Sequence, residues 1–588
     1  MFHLAPTGIL PGGYIGVDVF FVISGFLITT LLLREHAAAG RIRLRSFWVR
    51  RARRLLPALA VVVLVSTTAA LAIGGDVLVG IGRQLLGAGT FSYNWLSIAA
   101  QADYFDTTTP ELFRNLWSLA VEEQFYLVWP LLVIALLAVP RRWALGLVVA
   151  LLALGSAAAM VALSLADVPA TRLYYGTDTH AFGLALGALL AILFGRATAW
   201  TTALRRLMPM AGLLAVGGVL VLSWWLVEDG EWVFRGGLAL VAVLTAIAIA
   251  GASAPGSWLG RLLDIPPLRW VGERSYGLYL WHWPIVVLVG AALPSWTSGW
   301  QQWTVGGIAL AVTVVAATFS HRFVERPVRR DGFGGALRSW AGAWRGGRRR
   351  LVTVSVATLA TVGLVTGATY AVVVAPTSGV AEQRIQDGLD AITAQPAPEP
   401  EPGASTEPAP LPGGDQIIAI GDSVMLAAAP SVQTAFPGIA IDAAVSRRMS
   451  AAPSMIRALQ EADAMRPIVL LGLGTNGPVD VATLDEIREL VGPSTRIVLV
   501  NAQAPRNWIP GVNETLAAYA QQYRNVELAN WYDAIQPNLD VLATDLIHAG
   551  GPIGGSIYAD SIKAAMQRLA ELPPLLTPND YGLTPRPV

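Results

Sequence analysis

The sequence contains no cysteine, only 14% charged residues and a single lysine, Lys563, in 588 residues. The absence of cysteine excludes disulfides, thiolate metal sites and cysteine nucleophiles. A soluble protein would carry about a quarter of its residues as charged side chains. Here, apolar runs of at least ~18 residues, long enough to span a membrane, recur from Tyr14 to Pro376 and then stop. The sequence therefore predicts a polytopic α-helical membrane domain followed by a polar domain.

About ten segments are apolar and long enough to cross a membrane. The net charge of +1 gives no indication of nucleic-acid binding. The predicted spans are residues 14–33, 55–73, 117–138, 143–164, 180–195, 207–226, 234–253, 276–292, 303–320 and 351–376.

Two arginine-rich segments, 41–54 and 321–350, set the predicted topology. Because cytoplasmic loops carry an excess of basic residues, both segments are expected in the cytoplasm. Counting helices from them places the loop 99–116 outside and makes the weakly apolar segment 74–98 interfacial or re-entrant. By the same count residues 1–13 would begin outside, with no helix to carry them there.

The stretch WSLAVEEQFYLVWP places Glu122 and Glu123 near the start of a predicted span. A helix N-terminus stabilises a carboxylate by ~0.3–1 kcal/mol, whereas a charge inside a span costs ~2.5–3.5 kcal/mol. The two acids are therefore expected to have partners in a functional polar cavity, the alternative being a solvated helix end. Three residues on the same predicted side are candidate partners: Arg114, Arg172 and His180.

Beyond the last span, the segment 377–414 ends in PAPEPEPGASTEPAPLPGG and is predicted to be an extended, semi-stiff linker. The remaining residues, 415–588, alternate short apolar β-branched runs with helical stretches, which indicates a parallel sheet covered by helices. The predicted strands lie within 416–420, 466–477 and 494–503, and the predicted helices at about 450–463, 480–491 and 511–523.

This C-terminal domain carries the elements of a serine hydrolase-type site. Ser423 directly follows a predicted strand, His548 could take its proton, and Asp545 could hold the imidazole ring in the required tautomer. Asn476, also at a strand end, could donate to an oxyanion together with the Ser423 N–H. Each element by itself has a simpler interpretation: Gly-Asp-Ser occurs by chance, and a lone Asp-x-x-His is more often a pair on the protein surface.

Several motifs, in order, resemble the acyltransferase-3 family of membrane O-acyltransferases over residues 1–330. They are GGYIGVDVFFVISGFLIT, RRARRLLPAL, WSLAVEEQFYLVWP, YYGTDTHAFGLALGALLA, SYGLYLWHWPI and RFVERPVRR. The resemblance implies transfer of an acyl group, usually acetyl from cytoplasmic acetyl-CoA or another acyl-CoA, towards a carbohydrate hydroxyl. It also aligns His3 with the family's catalytic histidine. The family's first helix and its upstream arginine are absent, so we expect that the true start lies upstream or that this form is inactive.

The resemblance also nominates further membrane residues. Candidates for the membrane site are Asp18, Ser24, Glu122, Glu123, Tyr126 and His282, although a packed structural role is equally open for His282. Arg34, Arg50 and Arg51 could bind coenzyme A phosphates, or could simply anchor the cytoplasmic side.

Residues 415–588 resemble the SGNH hydrolase superfamily, with its flavodoxin-like α/β fold. Two departures stand out: Ser446 replaces the glycine of the second family block, where its backbone N–H would still serve the oxyanion hole, and Gly477 replaces the aspartate expected after Asn476. The predicted domains are 1–330 (membrane acyltransferase), 331–376 (cytoplasmic basic loop and last span), 377–414 (linker) and 415–588 (SGNH-like).

The two halves together resemble bacterial peptidoglycan and surface-polysaccharide O-acetyltransferases. This implies a multi-pass protein of the bacterial cytoplasmic membrane with an extracytoplasmic C-terminal domain and a cell-wall or surface glycan as acceptor. No metal or nucleic acid is expected. Two alternatives remain: the C-terminal domain is an O-acetyl esterase while the membrane domain acylates alone, or the membrane domain is a transporter. The acceptor glycan, the acyl chain length and the oligomeric state cannot be read from the sequence.

Overall fold

The computed structural model describes residues 3–4, 10–100, 111–139, 141, 143–196, 202–227, 230, 232–293, 300–344, 347–394 and 411–571. Its chain divides into two compact units, Met1–Thr377 and Ser378–Val588.

The first unit is helical, and its described residues include nine helices long and apolar enough to cross a membrane. These are Gly13–Ala39, Leu44–Ile73, Leu116–Leu137, Ala144–Leu165, Thr177–Phe194, Arg206–Trp225, Val233–Ser253, Trp300–Ala343 and Arg348–Val374. They correspond to nine of the predicted spans. The remaining predicted span, 276–292, lies in the helix Pro266–Ala292, which is not among the nine and carries Arg269, Glu273 and Arg274 in its first half.

Two predicted connections have more regular structure than expected. The segment 74–98 contains a 3₁₀ turn, Gly75–Leu78, and the helices Ile81–Thr90 and Tyr93–Ala99, which are too short to cross a membrane. The basic segment 321–350 was predicted to be a loop, and this is wrong for most of it. The chain continues from Trp300–Ser320 through a π turn into the helix Arg326–Ala343, which has a kink at Gly332.

Glycines bring the first membrane helix, Gly16–Ala39, into backbone contact with the helix Phe182–Arg196. A Cβ atom on Gly25 would lie 1.9 Å from the Leu184 carbonyl oxygen, and one on Gly187 would lie 2.0 Å from the Val22 carbonyl oxygen. Small residues permit such close approach between membrane helices. The contact fixes the rotation of the first helix, on which Asp18 and Ser24 are both buried.

The second unit contains a five-stranded parallel sheet with the order β2-β1-β3-β4-β5. The strands are β1 Ile417–Gly421, β2 Ala440–Ala443, β3 Ile468–Gly472, β4 Arg496–Val500 and β5 Val526–Ala529. The main helices are Ser423–Ala435, Ala452–Glu461, Val481–Val491, Ile509–Gln522, Trp531–Ile535 and Pro552–Glu571. The strand order is that of flavodoxin-like folds, in which ligands bind beyond the carboxyl ends of the strands where the order reverses, here between β1 and β3.

The prediction that residues 377–414 form an extended linker is wrong for Val380–Thr393, which forms a helix. This helix contacts Ser423–Ala435 so closely that a Cβ atom on Gly388 would lie 1.8 Å from the Leu426 carbonyl oxygen. The sequence VAEQRIQDGLDAIT contains no proline and can therefore form a helix, whereas the proline-rich remainder, 395–410, lies outside the described residues.

Candidate active site

The proposed nucleophile lies in a tight turn between β1 and the helix Ser423–Ala435. Gly421 ends the strand, and a Cβ atom there would lie 2.3 Å from the Met425 sulfur, so the turn requires glycine. Asp422 caps the helix, with its Oδ1 accepting a hydrogen bond from the Val424 N–H at 2.9 Å. Ser423 is therefore the first residue of the helix, where its side chain lies at the carboxyl edge of the sheet and is 5% exposed.

The predicted base and its orienting acid are hydrogen-bonded. His548 Nδ1 lies 2.5 Å from Asp545 Oδ2, and Asp545 Oδ1 accepts from the Ile547 and His548 backbone N–H groups at 2.8 and 3.1 Å. Burial would raise the pKa of Asp545, but the hydrogen bond and charge of His548 outweigh it, and the pKa lies below its ordinary value. The carboxylate thus holds the proton on Nδ1 and leaves Nε2 free to act as a base.

His548 Nε2 is buried and has no hydrogen-bond partner among the described residues. The ring lies close enough to Asp422 for their charges to interact. Burial raises the pKa of Asp422 to about 6, against the opposing effects of the Val424 N–H, of Thr475 and of His548. Asp422 therefore has His548 and Thr475 as neighbours, and it directly precedes Ser423. These contacts bring the ends of β1 and β3 and the His548 loop together.

The candidate oxyanion donors come from the loops after β2 and β3. Asn476 Nδ2 donates to the Arg447 carbonyl oxygen at 3.2 Å, which ties the two loops together and leaves its second amide hydrogen for another acceptor. Ser446 has a φ of +61°, in the left-handed region that favours glycine. The serine therefore retains the backbone shape of a glycine position, and its N–H remains available.

The second departure from the SGNH pattern also has a structural context. A Cβ atom on Gly477 would lie 3.6 Å from both Cδ and Nε of Arg448, so the Arg448 side chain lies over this glycine. An exposed basic side chain thus lies beside the candidate oxyanion hole where the pattern expects an acid. No group of three potential metal-ligating His, Asp or Glu residues occurs in the described part of the chain.

In the membrane unit, Glu122, Ser24 and Tyr126 form a buried cluster. Ser24 Oγ donates to Glu122 Oε1 at 2.5 Å, and the Tyr126 hydroxyl makes short contacts with both partners. The Arg51 guanidinium lies 4.3 Å from the centre of the Tyr126 ring, and the charges of Arg51 and Arg54 act on Glu122. Glu123 lies next to this cluster, and its Oε1 has no hydrogen-bond partner among the described residues.

The partners predicted for Glu122 and Glu123 are wrong. Arg172 pairs with Asp178 at 2.7 Å, Arg114 lies over the Trp283 ring, and His180 Nε2 is 2.8 Å from Asp18 Oδ1. The helix begins at Leu116 and has no acidic residue in its first turn, so the helix dipole does not account for the two acids either. The predicted partners lie at position 114 and within 172–180, whereas the observed arginines come from the basic segment 41–54.

His3 and His282, both singled out in the sequence, lie together. Their rings stack with centroids 5.6 Å apart, and the His3 ring meets that of Trp283 at 4.5 Å. His282 Nδ1 is 2.6 Å from the Tyr279 carbonyl oxygen. The membrane candidates therefore fall into three groups, which are this histidine pair, the Glu122 cluster, and Asp18 with its partner His180.

The three candidate coenzyme A arginines differ in their surroundings. Arg34 is exposed, Arg50 pairs with Glu35 at 3.1 Å, and Arg51 contacts Tyr126. An open cavity of about 660 Å³ lies in the segment just before Arg50 and is lined by Arg41, Ile42, Arg43, Leu44, Arg45, Ser46 and Val49. Arginines of the segment 41–54 thus border both this cavity and the Glu122 cluster.

A family described as an acyltransferase domain matches residues 2–322, which is more than half of the chain. The chain belongs to the acyltransferase-3 family. It is therefore an O-acyltransferase and, with its nine apolar helices in the described residues, a multi-pass membrane protein.

Relatives in the family share both units. Peptidoglycan O-acetyltransferase OatA of Listeria monocytogenes is 31% identical over 596 residues, covering 95% of this chain and 94% of the relative. YrhL of Bacillus subtilis is 31% identical over 595 residues, covering 91% of each chain. Among solved structures, the C-terminal catalytic domain of OatA from Streptococcus pneumoniae with a methylsulfonyl adduct matches 27% of this chain and 96% of its own at 24% identity, with a TM-score of 0.26.

Two contacts of this acyltransferase-3 chain were not anticipated from the sequence. The buried Asp18–His180 pair joins the first membrane helix to a residue 162 positions away, and His180 Nδ1 is also 2.7 Å from the Tyr174 carbonyl oxygen. The second is the contact of Arg51, a candidate for coenzyme A phosphates or for anchoring the cytoplasmic side, with the Tyr126 ring of the cluster. The signal for the first contact was the burial cost of Asp18 in an apolar helix, which requires a partner.

Proposed function

We propose that the enzyme carries an acetyl group from cytoplasmic acetyl-CoA, through its membrane unit, to Ser423, and from there to a hydroxyl of a cell-wall glycan. The relatives named as peptidoglycan O-acetyltransferases support the acceptor class. In this proposal the C-terminal unit is extracytoplasmic, in keeping with the basic segments 41–54 and 321–350 inside. The arginine-lined cavity beside Arg50 supports binding of the coenzyme A phosphates.

The observation that carries the proposal is the His548 ring, which Asp545 holds at 2.5 Å near the Asp422–Ser423 turn. Its Nε2 has no hydrogen-bond partner among the residues that the structure describes. Ser423 Oγ attacks the acetyl carbonyl carbon and gives its proton to His548 Nε2. The oxyanion accepts hydrogen bonds from the Ser423 and Ser446 N–H groups and from Asn476 Nδ2. Collapse expels the donor group, which takes the proton from His548 and leaves acetyl-Ser423.

The second half-reaction reverses these roles. His548 removes the proton of a sugar hydroxyl, whose oxygen attacks the acetyl-Ser423 carbonyl, and Ser423 leaves with the proton from His548. Net transfer requires that the sugar outcompete water for the acyl-enzyme, because attack by water would make the unit an esterase.

The test uses the full chain in sealed proteoliposomes, with labelled acetyl-CoA on the side of the basic segments and a chitooligosaccharide on the other. We expect acetylated oligosaccharide from the unaltered chain and from Ser454→Ala, an exposed serine, but none from Ser423→Ala. Free acetate without acetylated sugar would favour the esterase. Acetylated sugar from Ser423→Ala would contradict the serine relay, and a C-terminal tag found on the acetyl-CoA side would contradict the proposed orientation.

A further inference from the structure

The helix Val380–Thr393 is built into the unit that carries the proposed serine. Gly388 contacts the carbonyl of Leu426, one turn after Ser423 on the same helix, so closely that no side chain fits between them. Towards the end of the contact, Gln433 Nε2 donates to the Ala391 carbonyl oxygen at 3.3 Å. The helix therefore lies against the length of Ser423–Ala435.

The same helix also reaches the loop of the catalytic histidine. Arg384 Nη1 donates to the His548 carbonyl oxygen at 2.8 Å. The Arg384 side chain packs on Gly550, where a Cβ atom would lie within 2.6–2.7 Å of Arg384 Cβ, Cγ and Cδ. A hydrogen bond from a guanidinium is shorter and stronger than one between neutral groups, and Arg384 makes it to the very residue proposed as the base.

The His548 loop depends on such contacts because its own backbone is strained. Leu546, between Asp545 and His548, has a φ of +58°, in the left-handed region that branched side chains disfavour. Strained backbone at a functional site persists only when surrounding contacts hold it. Within the loop, the Ala543 N–H donates to the His548 carbonyl oxygen at 3.0 Å, the same atom that accepts from Arg384.

We propose that Arg384 is a positioning residue, which holds the His548 loop in its reactive geometry. In this proposal Gly388 lets the helix Val380–Thr393 pack closely enough for Arg384 to reach the loop. The inference rests on the proposed role of Ser423 and His548. On this inference the helix Val380–Thr393, which precedes the sheet, contributes to catalysis. A domain that began at residue 415 would lack this helix and Arg384.

The test measures turnover of an activated acetyl ester, and the rate at which a sulfonyl fluoride labels Ser423, on the full chain. Arg384→Met retains the length of the side chain and removes its donors. A small misplacement of catalytic groups can cost up to about 100-fold, so we expect kcat and the labelling rate to fall by about tenfold or more while KM changes by less than about twofold. Arg384→Lys restores one donor and should recover most of the loss.

Gly388→Ala should reproduce the loss, because its Cβ cannot fit against Leu426. The matched control is Gly511→Ala, a helical glycine with no atom within 4 Å of an added Cβ. If both residues act through the same docked helix, the double variant of Arg384→Met and Gly388→Ala loses no more than Gly388→Ala alone.

Each outcome supports or contradicts the inference. Unchanged labelling in Arg384→Met, or equal loss in Arg384→Met and Arg384→Lys, would contradict it. Losses that multiply in the double variant would contradict the shared mechanism. An unreactive Ser423 in the unaltered chain would contradict the proposed function itself, and this inference with it, which distinguishes the two failures.

Discussion

Asp422 is the most informative residue to perturb, because its burial should cost stability that a single substitution recovers. Its folded-state pKa is raised from the ordinary 3.8 to about 6, mainly by burial. A raised carboxyl pKa means that the folded state binds a proton more tightly than the unfolded state. Folding therefore loses stability as the pH rises from about 4 to 6, and the full cost is present above pH 6.

The magnitude follows from the two pKa values. Raising a carboxyl pKa from 3.8 to about 6 corresponds to about 3 kcal/mol at pH 7. Asp422→Asn removes this charge and keeps the helix cap, because asparagine caps as well as aspartate. We therefore expect the variant to be more stable than the unaltered protein by up to about 3 kcal/mol at pH 7.5, and by only about 1 kcal/mol at pH 4.5.

Urea unfolding of residues 378–588, followed by fluorescence at the two pH values, measures this difference. With a urea dependence of about 1–3 kcal/mol per molar, a gain of about 3 kcal/mol should raise the midpoint at pH 7.5 by about 1–3 M. Asp480→Asn is the control, since Asp480 caps Val481–Val491 in the same way but is exposed, and hydrogen bonds from Thr483 lower its pKa. This control should lose a little stability at pH 7.5. No gain in Asp422→Asn, or an equal gain in Asp480→Asn, would refute the reasoning.

Three further predictions concern the proposed relay. Asp545→Asn should lower kcat of acyl transfer by about 10³–10⁴-fold with Ser423 intact, because the imidazole loses the acceptor that fixes its tautomer; steady-state kinetics would show it, and a loss below tenfold would contradict the role. Glu122→Ala should abolish acetyl transfer from acetyl-CoA. Hydrolysis of a soluble acetyl ester by Ser423 should stay within about twofold, because the two residues lie in different units. Parallel loss of both activities would contradict a role of Glu122 confined to the membrane unit. Ser446→Gly should raise the thermal midpoint slightly or leave it unchanged. The left-handed conformation costs serine about 1–2 kcal/mol and glycine nothing, but glycine also gives the unfolded chain more entropy, which partly offsets the gain in stability. A clear fall in the midpoint would mean that the serine side chain stabilises the fold.

The sequence predicted those features that depend on local pattern. Nine apolar segments appear as helices of spanning length within the described residues, and β1, β3 and β4 lie where continuous apolar runs predicted them. The strands β2 and β5 were missed. Each has only four residues, and an acidic residue interrupts each of them, Asp442 in β2 and Glu527 in β5, so neither gives the continuous apolar run that marks a buried strand.

The Asp545–His548 hydrogen bond was predicted because Asp545 lies three residues before His548, and the structure contains this bond. The helix Val380–Thr393 was missed because the composition of the whole segment 377–414 is dominated by the prolines that follow it. The partners of Glu122 were missed because Ser24 lies 98 residues away and Arg51 lies on another helix.

By itself, the sequence determined which segments are apolar, where the spanning helices and the strands β1, β3 and β4 form, and which residue types end up at the ends of those strands. Hydrophobicity and backbone preference act along a short stretch of chain, so a short stretch reveals them. The tertiary structure alone decided that Asp18 pairs with His180, that Arg51 lies over Tyr126, and that Arg384 supports His548. Those pairs depend on the rotation and spacing of packed helices, which close contacts such as those at Gly25 and Gly388 set.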